Sequence, residues 1–468
     1  PVEPPIGKES LYATQFKNLP IGQMEEKFAD YGEVQIKQLN DRSKMYYTPN
    51  KENNVFQLVV QYGAGEREFP KLGYAAQLMN NAGIMGAYEP QELKEELSKL
   101  NATCHVTADD DNLYIIMEGY EATLPQACQL LSRQILMPKL DEKQLARLKG
   151  SAMGMRQQRK DNVSILNEAL RQYMLYGEKS DYIKELTDKE IYELQISELT
   201  GDINRASNYE AKVFFTGTLP FDQVYDILSK NLPLVANERP SNSPQAKDMM
   251  PVTENTVYFL PNNDAEQAQI HLYIPMQKAD KKDDVLRSAF NQYFGLDFTG
   301  IVLNEIREKR SMAYTAYAFV GTQGIAGKAS YLRGYIGTQN DKANDALDVL
   351  MSLVNDMPKN PERIGNIKSY LRQAMLTSHP SFRNKAMELV DLGYRGYTDD
   401  PAKENLPKVD ALTFDDIVKF YEENIKGKPY CISIMGNPKD IDLKRLEKFG
   451  KVVKLNERKL FNTKDALF

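Results

Sequence analysis

Only three cysteines and three histidines occur in this chain, and no apolar run approaches the ~20 residues needed to span a bilayer. Each shortage excludes something. Cys104, Cys128 and Cys431 are too few and too scattered for a disulfide framework or a zinc ribbon, and read as small buried hydrophobes. Cysteine scarcity suits the cytosol and a bacterial periplasm equally. The net charge of −6 comes without long blocks of one sign, so no surface is built to follow a phosphate backbone, and nucleic acid is not an expected partner. Even the most basic tract, "DLKRLEKFGKVVKLNERK", interleaves Glu447 and Glu457 and reads as a solvated helix and strand. The opening "PVEPPIGKES" has neither methionine nor a signal peptide, which suggests a processed product or expressed segment whose targeting signal lies elsewhere.

Catalytic signatures are equally scarce. There is no G-x-S-x-G elbow, no Walker loop and no G-x-G-x-x-G, and "YGAGERE" has the wrong spacing. His105, His271 and His379 stand alone; Cys104 and His105 are neighbours on a strand and point to opposite faces, so they cannot share a metal. The acidic "DDDN" at Asp109 to Asn112 lacks the glycine and closing glutamate of an EF-hand loop and reads as a hairpin turn. Acidic pairs in "EEK" and "KEEL" read as solvated helix faces.

What is present is a chain of 468 residues, 42% hydrophobic, long enough to bury two or more cores. "EVQIKQLN", "SKMYYTPN" and "VFQLVVQYGAG" read as strands, and Gly73 to Asn80 and "PQELKEELSKL" as helices. A hairpin and a long amphipathic helix, "LPQACQLLSRQIL", follow. The same order returns about 220 residues later, in "AQIHLYIPM", "KKDDVLRSAFNQYFG", a helix through "TGIVLNEIREKR", then "YTAYAFVG", "KASYLRGYIGT" and "DKANDALDVLMSLVNDM". "KVFFTGTL" and "YCISIMGNP" end the two copies as strands. Further helical segments, "EKQLARLKGSAMGMRQQRKDNVSILNEALRQYMLYG" in the first copy and "PERIGNIKSYLRQAMLTS" and "FRNKAMELVDLGYRG" in the second, fill out each half. The expected fold class is α+β, a tandem repeat of two homologous domains, each a mainly antiparallel sheet packed against helices. Its expected division is a linker over 1–22, a first domain over 23–236, a proline-rich exposed connection over 237–254 and a second domain over 255–468.

The order of elements and several motifs resemble the M16 (insulinase/pitrilysin) family of zinc peptidases over nearly the whole chain. In that family a helix after the third strand carries H-x-x-E-H, in which two histidines one helical turn apart bind zinc and the glutamate polarises water. A third ligand, a glutamate, comes from a later helix. Laid on "GYAAQLMNN", the motif puts Ala76 and Asn80 at the histidines and Met79 at the glutamate, none a useful zinc donor. The later helix has no acidic residue between Glu142 and Asp161. In the second copy, "LNEIREKRSMAYTAY" resembles the family's arginine and tyrosine motif, with Arg307 and Tyr314 at the matching positions and Ser311 where glycine is usual.

The resemblance implies a C-terminal, non-zinc-binding half, inactive by itself. It would clasp a catalytic half bearing H-x-x-E-H, upstream in the same polypeptide or as a separate subunit, around unfolded peptide substrates. Arg307 would bind substrate and Tyr314 would bind it too and stabilise the oxyanion, with no cofactor in this chain and zinc in the partner half. A catalytically inactive scaffold or peptide-binding subunit is the alternative. The setting implied is the periplasm or envelope of a bacterium. Taken alone, the pair also suits a structural arrangement, with Arg307 against a carboxylate and Tyr314 packed in the sheet. Alternation along "AYTAYAFVG" places Tyr314 on one face with Ala316 and Ala318, and Thr315, Tyr317 and Phe319 on the other.

Overall fold

A computed structural model describes residues 25–296 and 299–464, together with Leu11, Tyr12 and Gln15. The linker expected over 1–22 lies, apart from those three residues, outside the described residues. The first half contains β1 (Gln35–Gln38), β2 (Lys44–Pro49), β3 (Val55–Tyr62), β4 (Gly83–Ile84), β5 (Thr103–Ala108), β6 (Leu113–Tyr120), β7 (Pro138–Lys139) and β8 (Ala211–Gly217). Six of these form a sheet in the order β1-β2-β8-β3-β6-β5, and β4 and β7 pair separately. On β3 the period of two is exact enough to sort the strand, with Phe56, Leu58, Val60 and Tyr62 entering one core and Val59 facing the other way. The β5-β6 turn lies where "DDDN" placed it: the Asp109 carboxylate accepts from the N–H groups of Asp111 and Asn112 at 2.8 and 2.7 Å. Arg67 pairs with Asp110 and Asp111, at 3.0 and 3.1 Å.

The second half contains β9 (Thr256–Pro261), β10 (Gln267–Lys278), β11 (Ala313–Thr322), β12 (Ala329–Gln339), β13 (Cys431–Gly436) and β14 (Lys451–Lys454). Its sheet runs β11-β12-β10-β13-β9-β14. Read from the opposite edge, the first sheet has the same plan: β11, β12, β10, β13 and β9 stand where β5, β6, β3, β8 and β2 stand. Both copies join their first and last long strands in parallel, β2 to β8 and β9 to β13. They differ at one edge, where β1 is an antiparallel hairpin partner from the front of its copy and β14 a parallel partner from the rear. The repeat of two α+β units is therefore a property of the fold.

Helices α1 (Leu72–Met79), α2 (Pro90–Lys99), α3 (Leu124–Leu136) and α4 (Glu142–Gln157) belong to the first copy, and α5 (Val163–Tyr176) follows them in sequence. The second copy contributes α6 (Asp284–Phe294), α7 (Ala343–Asn355) and α8 (Lys385–Tyr394). One expected helix is cut short: in "TGIVLNEIREKR" only Ile301–Leu303 is α-helical, and Asn304–Glu308 is a π turn. The Arg310 guanidinium takes the Glu305 carbonyl at 2.7 Å, and the Lys309 N–H reaches back five residues to Asn304 at 3.0 Å.

For two of the further helices, α5 and α8, the assignment to their own halves is corrected, while Leu145 and Ala152 of α4 and Ile367 and Leu371 of the helix Ile364–Thr377 do enter the cores of their own halves. Leu166, Leu170, Met174 and Leu175 of α5 pack on Leu260, Met435, Tyr273 and Cys431, the face of the second sheet away from its own core. Reciprocally, Ala386, Met387, Leu389 and Val390 of α8 cover Val34, Val59 and Phe214 of the first sheet. Lys385 crosses with them and, with Lys51, pulls the Glu33 carboxyl down to about 2 through hydrogen bonds. The stretch 237–254 is also less free than an exposed connection: Asn242 N–H donates to the Gly63 carbonyl at 2.8 Å, and Lys247 pairs with Asp110 and Asp181. Among the described residues no helix is long and apolar enough to cross a membrane.

His271, on β10, lies in the seam that α5 closes. Its Nε2 donates to the Asn167 side-chain oxygen at 3.0 Å, and its Nδ1 is buried without a hydrogen-bond partner. Burial, helped by Arg333 and Arg171, depresses the imidazole from 6.5 to about 3. The unfolded imidazole takes up its proton near pH 6.5 and the folded one resists until about 3, so this contribution to stability is complete above 6.5 and is lost progressively below it. The expected loss between pH 7 and pH 5 is about 2 kcal/mol. Urea denaturation of wild type and His271→Gln at both pH values reads it as a difference, and equal acid sensitivity of the two proteins would dismiss the assignment.

Candidate functional site

Two places bear on chemistry, one at the end of α1 and one at the start of β11. Along α1 the residues Leu72, Ala75, Ala76, Leu78 and Met79 are buried at helical spacing, and Ala76 and Met79 are each 1% exposed in the first core. Asn80 caps the helix and spends its whole amide on main chain. It donates to the carbonyls of Ala76 at 3.2 Å and Val106 at 2.9 Å, and accepts the Val106 N–H at 2.8 Å. A side chain thereby takes the place of a neighbouring strand at Val106, on the free edge of β5. Buried Gln134 of α3 donates to the carbonyls of Met79 and Ala82, which the end of a helix leaves open.

These residues do not fit zinc. Alanine and methionine bring no suitable donor, the Asn80 amide is committed, and the α4 residues entering the same core are Leu145 and Ala152. Among the described residues no three histidine, cysteine or carboxylate side chains are grouped so as to hold a metal ion. His105 and His379 are exposed. Burial raises the thiols of Cys104 and Cys128 to about 12 and that of Cys431 to about 11, so none is poised as a nucleophile.

The β11 site is built from three backbone irregularities between Asn304 and Thr315. Arg307 stands in the π turn, Ser311 has φ +50°, and β11 carries a bulge between Ala313, opposite Thr338, and Thr315, opposite Gly337. Tyr314 is the extra residue. Alternation had placed it with Ala316 and Ala318; the bulge instead sends Ala313, Ala316 and Ala318 to the core together and turns Tyr314 outward, 78% exposed. The Arg307 guanidinium lies 5.3 Å from the centre of the Tyr314 ring, and its Nε is 3.5 Å from a Glu308 carboxylate oxygen. Tyr314 is thus not a packed sheet residue, and Arg307 is only loosely paired.

The two line an open cavity of about 480 Å³ with Ser311, Gln267, Gln339 and Lys342. The last three were not singled out from sequence. They come from β10, the end of β12 and the turn before α7, and nothing in their spacing announces that they meet. The left-handed Ser311 explains why glycine is usual at this position: a Cβ costs about 1 kcal/mol there. Ser311→Gly is expected to raise unfolding stability by about 0.5–1 kcal/mol in urea denaturation. An equal or lower midpoint would mean that the Ser311 conformation is not strained.

Residues 207–367 match the family model described as the peptidase M16 inactive domain. A search of the curated proteins with this sequence returns no match. Among solved structures, a peptidase M16 inactive domain from Pseudomonas fluorescens is similar with a TM-score of 0.67 at 17% identity, over 87% of this chain and 99% of that one. The ferredoxin protease FusC in complex with Arabidopsis ferredoxin is similar with a TM-score of 0.66 at 12% identity, over 91% of this chain and 49% of that one. The periplasmic protease PqqL from Escherichia coli gives 0.65 at 12% identity, over 91% of this chain and 50% of that one. At these identities the likeness is one of fold, and the chain spans about half the length of the two proteases.

Proposed function

We propose that the chain is the non-catalytic C-terminal half of an M16-type zinc metalloendopeptidase, a reading supported by the match of residues 207–367 to the peptidase M16 inactive-domain model and by the likeness in fold to such a domain over 87% of the chain. It forms one shell of a peptide-binding chamber. The other shell is a catalytic half bearing H-x-x-E-H, which carries the zinc and lies upstream in the same polypeptide or on a separate subunit. The chain's span of about half of FusC and PqqL supports such a pairing.

The observation that carries the reading is the outward projection of Tyr314 by a strand bulge, beside a loosely paired arginine. A scaffold needs neither. Across the chamber the permanently charged Arg307 guanidinium holds a carbonyl of the peptide, and the Tyr314 hydroxyl donates a hydrogen bond to the oxyanion that develops as the peptide bond is attacked. Donors fixed in place before the reaction stabilise that charge without reorganising.

Mixing the chain with an H-x-x-E-H half and following a quenched-fluorescence unstructured peptide tests this directly. Zinc-dependent cleavage is expected from the mixture and from neither part alone. A mixture that assembles but cleaves no faster than the catalytic half by itself would make the chain a scaffold or peptide-binding subunit.

A further inference from the structure

The basic side chains around Tyr314 are unevenly paired. Glu305 takes two of them, Lys309 at 2.6 Å and Arg310, and so neutralises the far side of the π turn. The near side is different. Among the described residues the one carboxylate within ion-pair distance of Arg307 is that of Glu308, at 3.5 Å, and the Arg307 side chain is 36% exposed. Lys342 reaches a single acceptor, the Ser311 carbonyl at 3.4 Å, and among the described residues no carboxylate lies within ion-pair distance of it. Both under-paired cations line the Tyr314 cavity. Its other polar side chains are the neutral Ser311, Thr338, Gln267 and Gln339 and the one acid, Glu308.

Two cations of different character converging on one open space, with one acid between them, leave excess positive charge where a ligand can neutralise it. Arg307 has five N–H donors, enough to hold a peptide carbonyl and still offer an N–H to a carboxylate, and Lys342 adds a point charge to the same cavity. Lys342 is also restrained: its ammonium donates to a carbonyl whose residue sits in the left-handed turn between Arg307 and Tyr314, so all three side chains meet at one stretch of backbone.

We propose that Lys342 and Arg307 form a carboxylate clamp, which selects peptides that present an acidic group next to the segment lying over Tyr314. This rests on the reading that the chain binds peptide. The carboxylate comes from an aspartate or glutamate side chain or from the C-terminus of the peptide, and the test separates the two.

The test uses this chain alone, so it does not depend on the catalytic half. Fluorescence anisotropy would be measured for one unstructured labelled peptide in four forms, with an internal glutamate or glutamine and with a free or amidated C-terminus. Loss of the recognised carboxylate is expected to weaken binding about tenfold, and Lys342→Gln to abolish that preference, while Lys342→Arg keeps it. Glutamate-to-glutamine sensitivity assigns a side chain, and amidation sensitivity assigns the C-terminus. Equal binding of all four forms, no binding of any, or an unchanged preference in Lys342→Gln would overturn the clamp. If the clamp fails while zinc-dependent cleavage by the reconstituted enzyme persists, the proposed function stands without it. A thermal melt of each variant shows that the fold is retained.

Discussion

Tyr314→Phe in the reconstituted enzyme is expected to lower kcat by about 10²–10³-fold, the usual cost of removing one oxyanion donor. KM is expected to change little, because the hydroxyl acts on charge that exists only on the way to the transition state. Arg307→Ala is expected to reduce kcat/KM with a rise in KM, since a guanidinium on a peptide carbonyl holds the substrate before reaction as well. Arg307→Lys is expected to restore only part of the loss, because an ammonium lacks the planar fork. These losses cannot be confused with unfolding. Tyr314 is 78% exposed on the outer side of a bulge, and removing its hydroxyl is expected to alter stability by no more than about 0.5 kcal/mol. Unchanged kinetics in both Tyr314→Phe and Arg307→Ala would withdraw their roles.

Rebuilding the zinc motif with A76H/M79E/N80H is expected to bind no zinc and to cost most or all of the folding stability. Three separate mechanisms act at once. Ala76 is 1% exposed, so an imidazole there overpacks the core, at about 1–3 kcal/mol. Met79 is as deeply buried, and a glutamate in its place must desolvate a carboxylate or remain protonated; a buried charge without its partner costs about 3–5 kcal/mol. Replacing Asn80 removes the amide that satisfies both main-chain groups of Val106, at about 1–3 kcal/mol. The terms are coupled through one helix and need not add, but the smallest plausible total rivals the roughly 5–15 kcal/mol that holds a domain together. Urea denaturation and a zinc-chelator competition would check it. A variant that melts like wild type and holds zinc would show that the end of α1 is a dormant metal site rather than core.

Much of this was legible from the residues. Strands appeared where apolar residues alternate, as in "VFQLVVQY", and helices where they recur every three or four positions, as in "LPQACQLLSRQIL", because each pattern is a local property of one element's own geometry. The repeat was legible for the same reason, as two runs of the same local patterns in the same order. The missing zinc donors could be read letter by letter, since a side chain's ability to bind a metal is a property of its type.

The candidate site was legible only in part. Arg307 and Tyr314 stood out through a motif, and the glycine preference at Ser311 hinted at an unusual backbone. The bulge that turns Tyr314 away from Ala316 depends on how β11 registers with β12, which no residue of β11 specifies alone. Lys342 joins the site because the turn before α7 lies beside the turn before β11.

The chain's own letters therefore determined which segments are strands and helices, that they come in two copies, and that α1 carries no zinc donors. Tertiary structure decided what those segments meet. Both α5 and α8 are amphipathic helices whose patterns show that one face must be buried, yet each buries it on the sheet of the other copy. Periodicity records that an apolar face exists; which surface covers it is settled by long-range packing, where the two halves compete for the same faces. Asn80 is the same lesson at the scale of one side chain: its identity rules out a zinc histidine, but only the approach of β5 makes it the cap on Val106.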